Sequence, residues 1–196
     1  MRPAVFLDRD GTINEQMGYI NHLSRFVMLP QAAAAIRLLN EQGILAVVVS
    51  NQSGLARGYF PESLLEKVHA KMRGALAEAG AHIDGLYFCP HHPEAKEERF
   101  RLVCNCRKPK PGLFLQAATD LDLDLARSYV VGDRWSDLKA AAAVQAKGVL
   151  VLTGYGRGDY EYIGPGQPVQ PAYIAEDLYA AVQWIVRDMA GQFPAR

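Results

Sequence analysis

Along the chain, short continuous apolar runs alternate with stretches whose apolar residues recur at helical spacing. The runs at Ala4–Asp8, Ile44–Ser50, Gly85–Cys89, Tyr129–Gly132, Val149–Leu152 and Tyr173–Ala175 predict strands. They are rich in Val, Ile, Leu and Tyr and run on without alternating polar residues, the pattern of strands covered on both faces. Between them the spacing predicts helices over Gln31–Gln42, Pro61–Ala79, Gly112–Leu121, Ser136–Ala143 and Asp177–Met189. In the last of these, Leu178, Ala181, Val182, Ile185, Val186 and Met189 form one stripe and leave the charges outside. Pro61 suits a first helical position, and Gly80 a residue just past a helix end. Such alternation implies an α/β fold, a three-layer doubly wound parallel sheet with helices on both faces. Gly154–Pro171, rich in Gly, Pro and Tyr, reads as a long surface loop.

The polar residues that matter sit where the apolar runs end. The first run leads into Asp8-Arg9-Asp10-Gly11-Thr12, the second into Ser50-Asn51-Gln52-Ser53-Gly54, the fourth into Gly132-Asp133-Arg134-Trp135-Ser136-Asp137. Singly, each is an ordinary strand-exit turn. Together they deliver acids and hydroxyls to one end of a parallel sheet, where ligands of open α/β folds bind. Two carboxylates as close as Asp8 and Asp10 repel unless a cation lies between them or one is protonated. Both remedies suit phosphoryl transfer: Mg²⁺ on hard oxygen ligands, one Asp as nucleophile, the other as acid and base. Asp133 adds a further carboxylate for the cation, and Ser50 a hydroxyl for a phosphate. Positive charge comes from Arg107-Lys108-Pro109-Lys110, just before a helix, where a lysine can neutralise a transferring phosphoryl group.

The chain has three cysteines, all between Cys89 and Cys106, so a disulfide framework explains them poorly. Cys89-Pro90-His91-His92 followed by Cys104-Asn105-Cys106 offers three thiolates and one imidazole, a set suited to a closed structural Zn²⁺ site. His91 continues the alternate-residue spacing from Cys89 and is the better ligand of the two histidines. Four protein ligands leave no open position, so such a zinc would fold its loop and not take part in catalysis. His22, in the loop after the first run, is a candidate to face substrate. His69 and His82 read as ordinary core or surface residues.

Bulk composition narrows the classes. At 196 residues and 49% hydrophobic content the chain can bury one core, most simply as a single domain spanning 1–196. Its 21 basic and 21 acidic side chains balance, which argues against nucleic-acid or membrane partners. No apolar run reaches membrane-spanning length, Met1–Val5 lacks a signal-peptide pattern and Phe193–Arg196 carries no lipidation motif. A cytoplasmic protein working as a monomer is expected.

The motifs Asp8-x-Asp10-Gly11-Thr12, Ser50, Lys108 and Gly132-Asp133-x-x-Ser136-Asp137 resemble the four motifs of the haloacid-dehalogenase superfamily of phosphatases. The longer stretches Phe6–Asn14 and Ser50–Gly58, with the Cys-His-Cys-Cys loop running into Arg107-Lys108-Pro109, are similar to its heptose bisphosphate phosphatases, from the first strand to about Leu152. The resemblance implies a Rossmann-like core without a separate cap domain, Mg²⁺ on Asp8, the Asp10 carbonyl and Asp133, and Zn²⁺ on Cys89, His91, Cys104 and Cys106. It implies catalysis by Asp8, Asp10, Ser50 and Lys108, with Asp137 positioning its neighbours. Substrate contacts would come from Asp8, Asp10, Gln16, Tyr19, Ser50, Asn51, Gln52, Ser53, Arg57, Arg107, Lys108 and Arg134. Ser50 and Lys108 would hold the transferring phosphoryl, and Arg107, with Arg57, Lys110 or Arg134, would meet the second phosphate of a sugar bisphosphate. It also implies removal of the 7-phosphate in ADP-heptose supply for surface polysaccharide. Histidinol-phosphate phosphatases share the core and a zinc loop, but their interval from His to the second Cys is typically shorter. A receiver-type signalling module also takes phosphate on a strand-end Asp, and the second acid, Asp10, argues for turnover instead. Ser50 stands where threonine is common and Arg134 where lysine is frequent; both bear on preference between sugar anomers.

Overall fold

The computed structural model describes residues 1–191; Phe193–Arg196, read above as free of a lipidation motif, lies outside them. Six strands, β1 (Ala4–Leu7), β2 (Leu45–Asn51), β3 (Gly85–Cys89), β4 (Tyr129–Gly132), β5 (Lys147–Val151) and β6 (Tyr173–Ala175), form one sheet in the order β3-β2-β1-β4-β5-β6. Every neighbouring pair is parallel, with Leu7 beside both Val48 and Val131. The connections run outward in both directions from the centre, so the order reverses between β1 and β4. That switch point opens a crevice at the carboxyl ends of the strands.

The apolar runs are continuous because both faces of each central strand are covered. Val5 and Leu7 pack with Val48 and Val131 against α1 (Ala32–Glu41), α2 (Glu62–Glu78) and α6 (Leu178–Met189). Ala4 and Phe6 pack with Val47 and Val130 against α3 (Gly112–Leu121) and α4 (Trp135–Ala143), where the Phe6 and Phe114 rings meet edge to face at 5.1 Å. Burying an aliphatic side chain this fully contributes about 1.5–3 kcal/mol. Among the described residues no helix is long and apolar enough to cross a membrane.

Several boundaries differ from the sequence pattern. β1 ends at Leu7, although the Asp8 amide still donates to the Val131 carbonyl at 2.9 Å, so the ladder reaches one residue further. Pro61 is extended (φ −79°, ψ 160°) and caps α2 without entering it. The segment read as one surface loop, Gly154–Pro171, contains a single helical turn α5 (Gly156–Gly158), a wide turn at Asp159–Ile163 and a tight one at Gly164–Gly166. Gly164 allows the last two to close over the Trp135 ring, which an added Cβ would approach to 2.5 Å.

Candidate active site

Asp8 leaves β1 at the centre of the crevice, and its charge partner arrives from far along the chain. Lys108 Nζ lies 2.8 Å from Asp8 Oδ1, 2.7 Å from Asp137 Oδ1 and 2.7 Å from the Val49 carbonyl, so all three ammonium protons have acceptors. Asn51 at the end of β2 holds the Lys108 backbone, accepting from its N–H at 3.0 Å and donating to its carbonyl at 3.2 Å. Burial disfavours the ammonium, yet the Asp137 and Asp8 carboxylates more than offset this and hold its pKa above the ordinary value. Burial pushes Asp8 up to about 6, with Asp137 and Asp10 adding to the rise and Lys108 opposing it.

Asp133 and Asp137 flank this pair from the β4–α4 turn. Asp137 sits at the third position of α4, and its Oδ2 accepts from the Arg134 amide at 3.1 Å, an arrangement that fixes the helix start. Asp133 is fully buried, and burial together with the Asp8 and Asp137 charges pushes it up to about 8. Its Oδ2 accepts from the Tyr155 amide at 2.8 Å, while its Oδ1 is buried without a partner among the described residues. Oxygens of Asp8, Asp133 and Asp137 lie within 4.8 Å of one another. Three buried carboxylates facing one lysine leave negative charge uncompensated. A hard divalent cation on Asp8 and Asp133 fits that donor set and gives the orphaned oxygen a partner.

The exit of β5 also belongs to the site. Thr153 Oγ1 donates to the Gly11 carbonyl at 2.6 Å, and Gly154 (φ +57°) lies so close that a Cβ there would come within 2.2 Å of Asp133 Oδ2. Only a glycine lets this turn close on the carboxylate.

Asp10 is held separately from Asp8. Arg9 Nη2 donates to both its carboxylate oxygens at 2.8 and 2.7 Å, Asn14 Nδ2 to Oδ1 at 2.9 Å and Gln52 Nε2 to Oδ2 at 2.8 Å. Burial raises its pKa, but Arg9 and these amides outweigh burial and bring the group below its ordinary value. Gln52 Nε2 also donates to Ser50 Oγ at 2.8 Å, linking the acid to the buried hydroxyl of β2. Arg9 is 1% exposed and its Nη1 lies 3.3 Å from His69 Nε2. Burial, Arg9 and Arg73 push His69 down to about 4, so its ring is neutral at physiological pH.

Beside this centre, Cys89 at the end of β3 meets His91, Cys104 and Cys106. The Cys89 sulfur is 3.5 Å from that of Cys104 and 3.2 Å from that of Cys106, which is 3.2 Å from His91 Nδ1. A tetrahedral zinc with sulfurs at about 2.3 Å would set them about 3.8 Å apart, so the donors need open by only a few tenths of an ångström. Burial opposes ionisation of Cys104, but bonds from Cys106 and Cys89 prevail and bring it down to about 6. Burial and Cys106 hold the Cys89 thiol above its ordinary value. The donor set and spacing fit a structural zinc.

The rim carries the cations. Arg57 Nη2 donates to His92 Nε2 at 2.8 Å, and Arg57 Nε and Arg107 Nη1 are buried without partners among the described residues. Arg134 lies over the Tyr155 ring at 4.6 Å, with its Nε 3.6 Å from Asp159 Oδ2. Lys110 instead turns to the Cys104 carbonyl at 2.9 Å. Tyr19 meets Tyr59 edge to face at 4.7 Å, Gln16 Nε2 reaches the Asp10 carbonyl at 3.5 Å, and Ser53 accepts the Arg57 amide at 3.0 Å. His22 is exposed and caps the turn at Leu23–Arg25, accepting from Ser24 N at 3.2 Å.

Several known proteins are similar to this chain. The HAD-hydrolase-like family model matches residues 105–181. A D-glycero-beta-D-manno-heptose-1,7-bisphosphate 7-phosphatase of Escherichia coli O6:H1 is 43% identical over 188 residues, 96% of this chain and 90% of that protein. A D-glycero-D-manno-heptose-1,7-bisphosphate 7-phosphatase of Thermosynechococcus vestitus is 42% identical over 96% of this chain and 98% of its own length. The crystal structure of the D,D-heptose 1,7-bisphosphate phosphatase from B. bronchiseptica, complexed with magnesium and phosphate, superposes with a TM-score of 0.83 at 35% identity, covering 96% of this chain and 99% of that one. The chain belongs to the heptose-bisphosphate phosphatase family of HAD-like hydrolases.

In this member of the family the structure brings Asp8, Asp10, Ser50, Lys108, Asp133 and Asp137 to one crevice and the four zinc candidates to one point beside it. Asn51 is placed among the expected substrate contacts by sequence, yet both ends of its amide serve the Lys108 backbone. Sequence reasoning missed Arg9, His69 and Thr153–Tyr155. A signal existed for His69, an ionisable residue on the buried stripe of α2 with Leu65, Val68, Met72 and Leu76.

Proposed function

We propose that this single-domain hydrolase removes the 7-phosphate of D-glycero-D-manno-heptose 1,7-bisphosphate through an aspartyl-phosphate on Asp8. The observation that carries the reading is the buried charge chain of Asp133, Asp8, Lys108 and Asp137, with one carboxylate oxygen left unpaired at the switch point. Asp8, the Asp10 carbonyl and Asp133 would hold Mg²⁺, which when bound neutralises developing negative charge. An Asp8 oxygen attacks phosphorus and the bond to the sugar oxygen breaks, while the Asp10 carboxyl gives that oxygen its proton. Arrival of the phosphoryl group favours the protonated form of Asp10 by adding negative charge beside it. Water then attacks the aspartyl-phosphate, Asp10 takes the water's proton, and phosphate leaves with Asp8 restored. Ser50 and Lys108 hold the transferring group.

The guanidinium nitrogens of Arg57 and Arg107 that lack partners among the described residues support a substrate with a second anion, and Arg134, over the Tyr155 ring, is a further cation for it. Gln16, Tyr19 and Ser53 shape the rim in place of a cap. Cys89, His91, Cys104 and Cys106 would bind Zn²⁺ and fix the loop that carries Arg107 and Lys108. Such an enzyme serves ADP-heptose supply for surface polysaccharide, in the cytoplasm and as a monomer. Hydrolysis rates on the α- and β-anomers of the bisphosphate, on histidinol phosphate and on other sugar phosphates test the substrate. A higher kcat/KM for histidinol phosphate would end the heptose assignment. Asp10→Asn should fold and lose at least a hundredfold in turnover; near-normal multiple turnover would remove Asp10 from its role.

A further inference from the structure

We infer that His69 is a positioning residue for the reaction, holding Asp10 in register through Arg9. The inference rests on Asp10 being the acid–base group proposed above.

His69 lies on the apolar stripe of α2, 7% exposed, with its ring against Phe88 of β3 at 5.6 Å between centroids. A leucine or phenylalanine would fill that space without desolvating two ring nitrogens, so packing alone does not account for an imidazole there. What the imidazole adds is an acceptor. Arginine carries donors only, so the 3.3 Å contact from Arg9 Nη1 requires an unprotonated Nε2, which the neutral ring supplies as its Nδ1–H tautomer. Without it Nη1 would be a buried donor with no acceptor among the described residues.

The geometry of Arg9 shows why its orientation matters. Its Nη2 and Nε point at the Asp10 carboxylate, at 2.7, 2.8 and 3.3 Å, while Nη1 points away into α2. The guanidinium is planar, so fixing Nη1 fixes the plane in which the other two nitrogens meet the carboxylate. An acceptor that is neutral leaves the positive charge of Arg9 to Asp10; an acid at position 69 would compete for it. The remaining partners of the carboxylate, Asn14 and Gln52, come from the β1 and β2 exits. Arg9 is therefore its tie to the helical layer. A carboxyl that must give a proton to the leaving oxygen and then take one from water needs the same placement in both half-reactions.

The two half-reactions allow the role to be read directly. With 4-nitrophenyl phosphate, Asp8 attacks phosphorus and 4-nitrophenolate leaves as a stable anion, so this step needs little help from an acid. Breakdown of the aspartyl-phosphate by water still needs Asp10 as base. In rapid-mixing experiments on the Mg²⁺-loaded protein, His69→Leu should release a first equivalent of nitrophenolate at a rate within about threefold of the parent. Its steady-state turnover should fall at least tenfold, with KM for the sugar bisphosphate unchanged. His69→Gln, which restores an acceptor, should recover turnover to within about threefold. Unchanged turnover in His69→Leu, an equal loss in both phases, or no recovery with glutamine would overturn the inference. If circular dichroism shows that His69→Leu is unfolded, Arg9→Lys carries the same expectation, since lysine cannot span both partners in one plane. Asp10→Asn run in parallel separates the failures: normal turnover there removes the acid–base assignment itself, whereas a slow Asp10→Asn beside a normal His69→Leu removes only His69.

Discussion

The buried acids at the switch point should make the metal-free protein less stable than its own neutralised variant. Asp133 is fully buried between Asp8 and Asp137, and its pKa is pushed from 3.8 up to about 8. Between those values the folded chain keeps a proton that the unfolded chain has released. Stability therefore falls as pH rises through that window, by about 1.4 kcal/mol per pH step at most. Asp8, raised to about 6, acts in the same direction over the lower part of the window. At pH 7.5 the ceiling for Asp133 alone is roughly 5 kcal/mol. The Lys108 ammonium and relaxation of the crevice offset part of this, and replacing buried charges by neutral isosteres is commonly neutral to stabilising by about 1–4 kcal/mol.

Asp133→Asn is the perturbation that isolates this buried charge. An asparagine oxygen can still accept from the Tyr155 amide, and its volume fits the space that Gly11 and Gly154 leave. In chelator at pH 7.5 the variant should be about 2 kcal/mol more stable than the parent, a rise in melting temperature of about 4–8 °C for a chain this size. The gain should shrink toward pH 4, where both forms are neutral. Mg²⁺ should reverse the order. At a hundredfold excess over Kd a ligand adds about 2.7 kcal/mol to a protein that binds it, so the parent should rise while Asp133→Asn barely moves. Phosphatase activity should be lost in the variant throughout. Urea unfolding and calorimetry at pH 5 and 7.5, with chelator and with Mg²⁺, make the comparison. A variant no more stable than the parent in chelator, or equal Mg²⁺ stabilisation of both, would refute this account of the site.

Lys108→Met removes the cation shared by Asp8 and Asp137. It should lower stability by about 3 kcal/mol at pH 8 and by less at pH 5, where the acids take up protons, as read by urea unfolding; turnover should fall at least a hundredfold. Cys104→Ser should reduce bound zinc, measured by elemental analysis, from one equivalent to well below it, and should make the 89–106 loop sensitive to protease.

Much of this molecule was legible because buried parallel strands leave a plain trace. β3, β4 and β6 fall where the apolar runs predict them, and α3 does as well. The acids after β1 and β4, and the hydroxyl after β2, stand at strand tips, so topology alone brings them together. The Cys-x-His and Cys-x-Cys pairs were legible for a related reason: ligand spacing is local, and only the closure between the two halves needs the fold. The β5 exit was not legible, because a run of Gly, Tyr and Pro reads as solvent-facing until a carboxylate is found packed against Gly154.

Arg9 and His69 show where reading by neighbours in sequence breaks down. Between two acids, Arg9 looks like a spacer turned away from them, and period-two alternation supports that view. Yet β1 has already ended, and beyond Leu7 the alternation no longer governs direction. The side chain curls back to Asp10 at 2.7 Å because a buried guanidinium needs an anion more than an extended backbone needs regularity. Its last donor then had to be met from elsewhere, and the polar residue placed on the otherwise apolar stripe of α2 meets it. Neither residue announces itself alone: the arginine is hidden by the acids beside it, and the histidine by the hydrophobic residues around it. Each makes sense once the other's unmet hydrogen bond is counted, so a single ionisable group on a buried helical stripe is best read as the answer to a charge displaced somewhere else in the chain.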